Sequence, residues 1–140
     1  MDLHRAYCAD WGIAEDALEA VEADGATLAY TAYVLERGLA GDLLDLRVAL
    51  APCVIGYGEI GARLAADPAT RSEGNPYASW IEMYAGDEYQ AFMRTEVEAL
   101  NALGARRGGS ARFAGLATTF RTATRLEAAF WQAGLDAAGD

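Results

Sequence analysis

Three kinds of side chain in this sequence could do chemistry together: a thiol, a carboxylate set in an apolar stripe, and a group of tyrosine hydroxyls. The thiol is Cys53, in the stretch Ala51-Pro52-Cys53-Val54-Ile55-Gly56-Tyr57-Gly58-Glu59-Ile60-Gly61. The carboxylate is Glu127, seven residues after Phe120, four after Ala123 and three before Phe130, in the middle of an apolar helical face. Burying a carboxylate is costly unless it is paired or protonated, and burial raises its pKa. Glu127 therefore reads either as a general acid shielded by Phe120, Phe130 and Trp131, or as a point where the stripe twists and the carboxylate reaches solvent or an arginine. Cys53 has two readings as well. Free cysteine usually behaves as a small buried hydrophobe, and nothing nearby in sequence would lower its pKa. Yet Pro52 leaves the Val48 carbonyl without a helical partner and tends to kink the helix, which opens space beside the thiol. Tyr30, Tyr33, Tyr57, Tyr77, Tyr84 and Tyr89 are either core aromatics or the walls of a pocket for a flat, polar heterocycle.

Helices must position these groups. Apolar residues recur at intervals of three and four, β-branched residues are sparse, and the chain is predicted to be all-α. The pattern predicts helices over residues 2–9 and 15–23, the second stopped by Asp24-Gly25. A third is capped by Thr27 and broken at Gly38, with Tyr30, Tyr33, Val34 and Leu35 as its stripe. The long central helix runs from the Asp42 cap to Asp67-Pro68, with Cys53 and Tyr57 stacked one turn apart on one face. Asn75-Pro76 is predicted to open the next helix and Asp87 to cap another, whose stripe is Tyr89, Phe92, Met93, Val97, Leu100 and Leu103. After a turn at Arg106-Arg107-Gly108-Gly109, Ser110 starts a last helix reaching about Ala138. No strand precedes Gly56, Gly58 and Gly61, so they fit close helix packing better than a dinucleotide fingerprint.

Composition narrows the chemistry. With 140 residues, 53% of them hydrophobic, residues 1–140 form one domain with a core of its own. Asp and Glu number 21 against 11 arginines, for a net charge of −10, and there is no lysine. A nucleic-acid groove, an anionic membrane surface, a lysine-bearing phosphate loop and Schiff-base chemistry are all disfavoured. His4 is the one histidine, which argues against a histidine metal site and leaves no imidazole to activate a nucleophile. Cys8 and Cys53 fit no zinc or CxxC spacing and read as two reduced thiols of a cytoplasmic protein. The longest uncharged run is too short to cross a bilayer.

Thr27-Leu28-Ala29-Tyr30-Thr31-Ala32-Tyr33, Pro52-Cys53 with Tyr57-Gly58-Glu59-Ile60-Gly61, Trp80-Ile81 with Tyr84, and Arg125-Leu126-Glu127 with Phe130-Trp131 occur in an order and spacing that resembles the TenA/thiaminase II family. The resemblance implies a haem-oxygenase-like all-α bundle, commonly a homotetramer, with no metal and no cofactor. It implies hydrolysis of 4-amino-5-aminomethyl-2-methylpyrimidine to the hydroxymethyl compound in thiamine salvage, and in some members cleavage of thiamine. Carried over by position, Cys53 matches the nucleophile that adds to the pyrimidine ring and Glu127 the acid/base. Tyr30, Tyr57 and Tyr84 match the tyrosines that stack on and orient the small-molecule pyrimidine substrate. Family members begin with further helices carrying a substrate-binding aspartate on an Asp-Tyr motif, and Asp2, Asp10 and Asp16 stand in no such motif. The bundle is therefore expected to be N-terminally truncated, with Met1 an internal methionine of a longer protein and apolar surface left uncovered. A non-catalytic helical remnant that binds a pyrimidine or a protein partner is the alternative.

Overall fold

The structure, a computed structural model, describes residues 2–138, and the side chains from Arg5 onward. Met1 and the His4 side chain lie outside that range. Seven α-helices and one π-helical turn make up the fold, and no strand occurs among the described residues. They are α1 (Asp2–Asp10), α2 (Glu15–Glu19), α3 (Gly25–Ala40), α4 (Leu43–Ala66), α5 (Ala78–Ala85), α6 (Asp87–Leu103), the π turn (Gly104–Gly108) and α7 (Ser110–Ala137). The all-α expectation holds.

α4 is the axis of the bundle: α3, α5, α6 and α7 all pack on it. Its start is over-determined. Asp42 accepts from the amides of Leu44 and Asp45, and Asp45 returns the bond to the Asp42 amide, a complete capping box. Arg112 of α7 grips both carboxylates, at 3.0 Å from Asp42 and 2.6 Å from Asp45, and its bond holds Asp42 well below the usual carboxylate pKa. Just inside that end lies the densest core, Leu44 and Val48 against Leu103, backed by Leu100 and Leu116. Pro52 is buried within α4, which continues through it.

Several boundaries depart from the sequence expectations. α2 stops at Glu19 rather than residue 23, because it buries nothing and a five-residue helix without packing has little to sustain it. Asp24, not Thr27, caps α3; its charged oxygen accepts from the Thr27 amide at 2.6 Å, drawing the helix start forward. Gly38 does not break α3, which runs on to Ala40; a Cβ at Gly38 would sit 3.0 Å from Leu46, so close approach to α4 explains that glycine. Asn75-Pro76 forms a turn before α5 instead of its first residues, with the Tyr77 amide donating to Asn75 Oδ1 at 2.9 Å. Asp87 is the first residue of α6, and Gly86 takes the cap position. The Arg106–Gly109 region continues α6 as the π turn, and Gly109 (φ +84°) makes the break before α7.

The apolar stripes are only partly covered. Leu35 on α3 and Phe92 on α6 are exposed, as are Phe113 (72%) and Leu135 (67%) on α7.

Candidate active site

Five helices deliver the candidate residues to one region. Cys53 and Tyr57 come from the middle of α4, Tyr30 from α3, Tyr84 from α5, Tyr89 from α6 and Glu127 from α7. Register explains the first pair, since positions four apart share a helix face. Two glycines explain the nearness of α5 and α6 to it. A Cβ on Gly58 would lie 2.5 Å from Met93 Sδ, and one on Gly61 would lie 2.6 Å from Tyr84 Cβ and 2.9 Å from its carbonyl carbon. At Gly61 the near atoms include backbone, so a side chain there would push α5 away, whereas at Gly58 Met93 would have to shift. Gly56 differs from them: a Cβ there meets nothing within 4 Å, so close packing does not account for it.

Glu127 is buried, 7% exposed, so its carboxylate does not reach solvent. The Tyr57 hydroxyl donates to Glu127 Oε1, across 70 residues of sequence. Oε2 has no hydrogen-bond partner among the described residues. The shielding expected from Phe120, Phe130 and Trp131 is incomplete, because all three rings are partly exposed. Tyr57 and Glu127 both line a cavity of about 310 Å3 between α4 and α7, bounded also by Pro52, Gly56, Phe120 and Trp131. Cys53, Tyr30 and Tyr84 do not line it.

Cys53 is half-buried, unpaired with Cys8, and its thiol points back to the Leu50 carbonyl at 3.1 Å. Burial pushes its pKa up, the Tyr30 hydroxyl pulls it down, and the Glu127 carboxylate raises it again. The Tyr30 phenol lies well above the ordinary tyrosine range, first through burial and then through Cys53 and Glu127. It is thus near both groups, but its hydroxyl hydrogen-bonds to neither among the described residues. Burial, and then the bond to Glu127, raises Tyr57 likewise. Burial raises Tyr84, with smaller contributions led by Cys53, and carries Tyr89 up to about 12. All these tyrosines are neutral donors at neutral pH.

An aromatic cage surrounds Tyr57. Its ring meets Tyr84 edge-on at 5.3 Å, Trp131 at 5.8 Å and Trp80 at 5.9 Å, and Trp80 lies 4.5 Å from Tyr84. The sequence singles out Tyr30, Tyr57, Tyr84 and, among the pocket-wall tyrosines, Tyr89, but not the part played by Trp80 and Gln90 or the bond that Tyr89 makes. The Trp80/Tyr84 spacing of four was the available signal for the first. Tyr89 donates to the Val54 carbonyl at 3.0 Å, and Gln90 bridges the carbonyls of Gly58 and Tyr84 at 2.9 and 2.8 Å. Nothing in their spacing marks these two bonds. Tyr33 instead lies beneath Arg37, 5.7 Å from its guanidinium.

In sum of atoms, the region offers a thiol, a carboxylate with one unpartnered oxygen, an unpartnered phenol and a wall of rings. Buried polar atoms without partners are uncommon, and here two of them, the Tyr30 hydroxyl and Glu127 Oε2, belong to groups that lie near one another.

Comparison with known proteins adds an independent finding. The model of the TENA/THI-4/PQQC family matches residues 1–137. An uncharacterized protein of Haemophilus influenzae is 39% identical over 99% of this chain and 63% of its own length. An aminopyrimidine aminohydrolase of Halalkalibacterium halodurans is 42% identical over 94% of this chain and 58% of its own length. The crystal structure of a TenA family transcription regulator from Silicibacter sp. TM1040 superimposes with a TM-score of 0.88 at 49% identity, covering 96% of this chain and 60% of that one. The chain thus spans about three fifths of the length of these relatives.

Proposed function

The chain belongs to the TENA/THI-4/PQQC family, and from that premise we propose that its site hydrolyses the aminomethyl group of 4-amino-5-aminomethyl-2-methylpyrimidine. The observation that carries the reading is Glu127, buried, held at one oxygen by Tyr57, unpartnered at the other, and close enough to Cys53 for its charge to act on the thiol. The aminohydrolase activity in the name of the 42%-identical relative agrees with it.

With the Cys53 pKa raised, the resting thiol is protonated at neutral pH and needs a base as it attacks. Glu127 is the carboxylate whose charge acts on it. In the first half-reaction Cys53 Sγ bonds to the ring carbon next to the one bearing the aminomethyl group, and its proton passes to Glu127. The electron pair displaced in the ring then expels the exocyclic nitrogen, which leaves as ammonia with the proton from Glu127. In the second half, water adds to the exocyclic methylene carbon and gives a proton to Glu127. The C–S bond breaks, the thiol recovers that proton and the ring regains aromaticity. One water is consumed and one ammonia released. Tyr57 fixes the carboxylate, and Tyr30, Tyr84 and Trp80 supply ring faces and edges for a flat heterocycle. Thiamine would follow the same bond changes, its thiazolium leaving as neutral thiazole without a proton, so that the proton taken by Glu127 from the thiol passes to solvent before water attacks. Self-association of the protein would cover the exposed stripe of α7, and sedimentation would reveal it.

The test is ammonia release from the aminomethylpyrimidine by wild type, Cys53→Ala and Glu127→Gln. Both variants should lose turnover while still binding the pyrimidine. Release that persists unchanged in Cys53→Ala defeats the nucleophile assignment. Pyrimidine binding without turnover in the wild type would instead favour a non-catalytic binding protein, a reading consistent with the partly open ring wall at Phe130 and Trp131.

A further inference from the structure

A second concavity, of about 630 Å3, opens at the other end of α4, between that helix, the loop of residues 67–77, α5 and the last turns of α7. Its size falls within the range of sites for small organic ligands. Leu64, Tyr77, Trp80, Ile81, Trp131 and Leu135 supply its walls. The loop on its rim is pinned by side-chain bonds: Ala69 N–H to Asp67 Oδ1 at 2.8 Å, Asn75 Nδ2 to the Arg71 carbonyl at 2.9 Å, and Tyr77 N–H to Asn75 Oδ1. Arg71 on that loop lines the cavity and makes no ion pair among the described residues. No carboxylate lines the cavity with it, although the chain carries a net charge of −10. A cavity lined by one arginine and by no carboxylate, in so acidic a chain, is complementary to an anionic ligand.

We propose that this cavity binds a flat aromatic molecule bearing a phosphate or carboxylate, its ring against Trp80 and Trp131 and its anionic group at Arg71. Its lining includes neither Cys53 nor Glu127, although it shares the Trp80 and Trp131 rings with their site, and the inference holds whether or not that site is catalytic. The two communicate through rings, since Trp80 and Trp131 both touch Tyr57.

The chain has three tryptophans, so the indole N–H resonances of Trp11, Trp80 and Trp131 report on the site separately. Titrated with phenyl phosphate, the Trp80 and Trp131 signals should shift saturably while Trp11 stays in place. Benzyl alcohol should bind about fivefold more weakly, and Arg71→Gln should weaken phenyl phosphate by a similar factor, as for a solvent-accessible charge pair. Gly134→Leu is the blocking variant. Gly134 lines the cavity and a Cβ there meets nothing within 4 Å, so the side chain grows into open space. That variant should fold and lose binding, whereas Cys53→Ala should bind as wild type does. The proposal is overturned if no indole shifts saturably, if all three move together, if the neutral analogue binds equally well, or if Gly134→Leu retains binding.

Discussion

Two glycines five residues apart on α4 should respond in opposite senses to the same added methyl group. At Gly61 a Cβ would lie 2.6 Å from Tyr84 Cβ and 2.9 Å from the Tyr84 carbonyl carbon, against an ordinary contact of 3.4 Å or more. Because one of those atoms is backbone, no rotamer change relieves the clash, and α5 must move away from α4 by most of an ångström. Forcing a methyl into a packed contact costs about 1–3 kcal/mol, and the backbone clash puts this site near about 3. Replacing glycine by alanine inside a helix returns about 1 kcal/mol, so Gly61→Ala should lose about 2 kcal/mol net. At Gly56 the same methyl meets nothing within 4 Å, and only the helix gain of about 1 kcal/mol remains. For a chain of this size about 1 kcal/mol moves the melting temperature about 3–4 °C. Gly61→Ala should thus melt about 7 °C below wild type and Gly56→Ala about 3–4 °C above it, by calorimetry or circular dichroism. Displacing Tyr84 should also alter the near-ultraviolet dichroism of the Trp80–Tyr84–Tyr57 rings in Gly61→Ala alone. Melting of Gly61→Ala at or above wild type would refute the reasoning, and so would a common shift of both variants.

Tyr57→Phe removes the one hydrogen-bond donor that Glu127 has among the described residues, in a buried position, and should cost about 1–3 kcal/mol, read from urea unfolding. An unchanged midpoint would mean that water replaces the phenol. Alkylation of Cys53 by iodoacetamide, followed in Cys8→Ser, should rise at a higher pH than for an exposed thiol. Glu127→Gln should lower that inflection by removing a nearby negative charge, and Tyr30→Phe should raise it by removing a donor to the thiolate; shifts of the opposite sign would contradict the placement of these groups. In the folded state Asp42 lies below the ordinary aspartate pKa of about 3.9, chiefly through Arg112, so the stability from this contact is fully present above that value and is lost as pH falls below it. The stability gap between wild type and Arg112→Gln should accordingly be constant near neutrality and narrow on acidification past about pH 4; a gap that widens there would reverse the argument.

Much of the site was legible in the chain because it lies on regular helices. The interval of four between Cys53 and Tyr57 fixes a shared face wherever α4 ends, and the Asp42 capping box follows from local sequence alone. Glu127 could be singled out as anomalous, since a charged residue within an apolar stripe contradicts the pattern around it. Spacing could not say whether it was buried or which side chain held it; the Tyr57 bond joins helices 70 residues apart, and that pairing depends on how α4 and α7 cross. Helix ends proved less legible where two residues compete for one role. Asp24 took the cap from Thr27 because a carboxylate binds free amides more strongly at a helix N-terminus. Gly38 read as a stop because its sequence neighbours give no hint of Leu46.

By itself, then, the sequence determined an all-α chain, a central helix presenting Cys53 and Tyr57 on one face, and a glutamate that needed explaining. Helical periodicity is a local property, and those features follow from residues within a turn or two of each other. Tertiary structure decided which of three nearby glycines are packing contacts, which oxygen of Glu127 is satisfied, and that Trp80 and Trp131 close on Tyr57. Each of those facts is a distance between helices far apart in the chain. Such distances are set by how whole side-chain surfaces interlock, and no run of neighbouring residues encodes them.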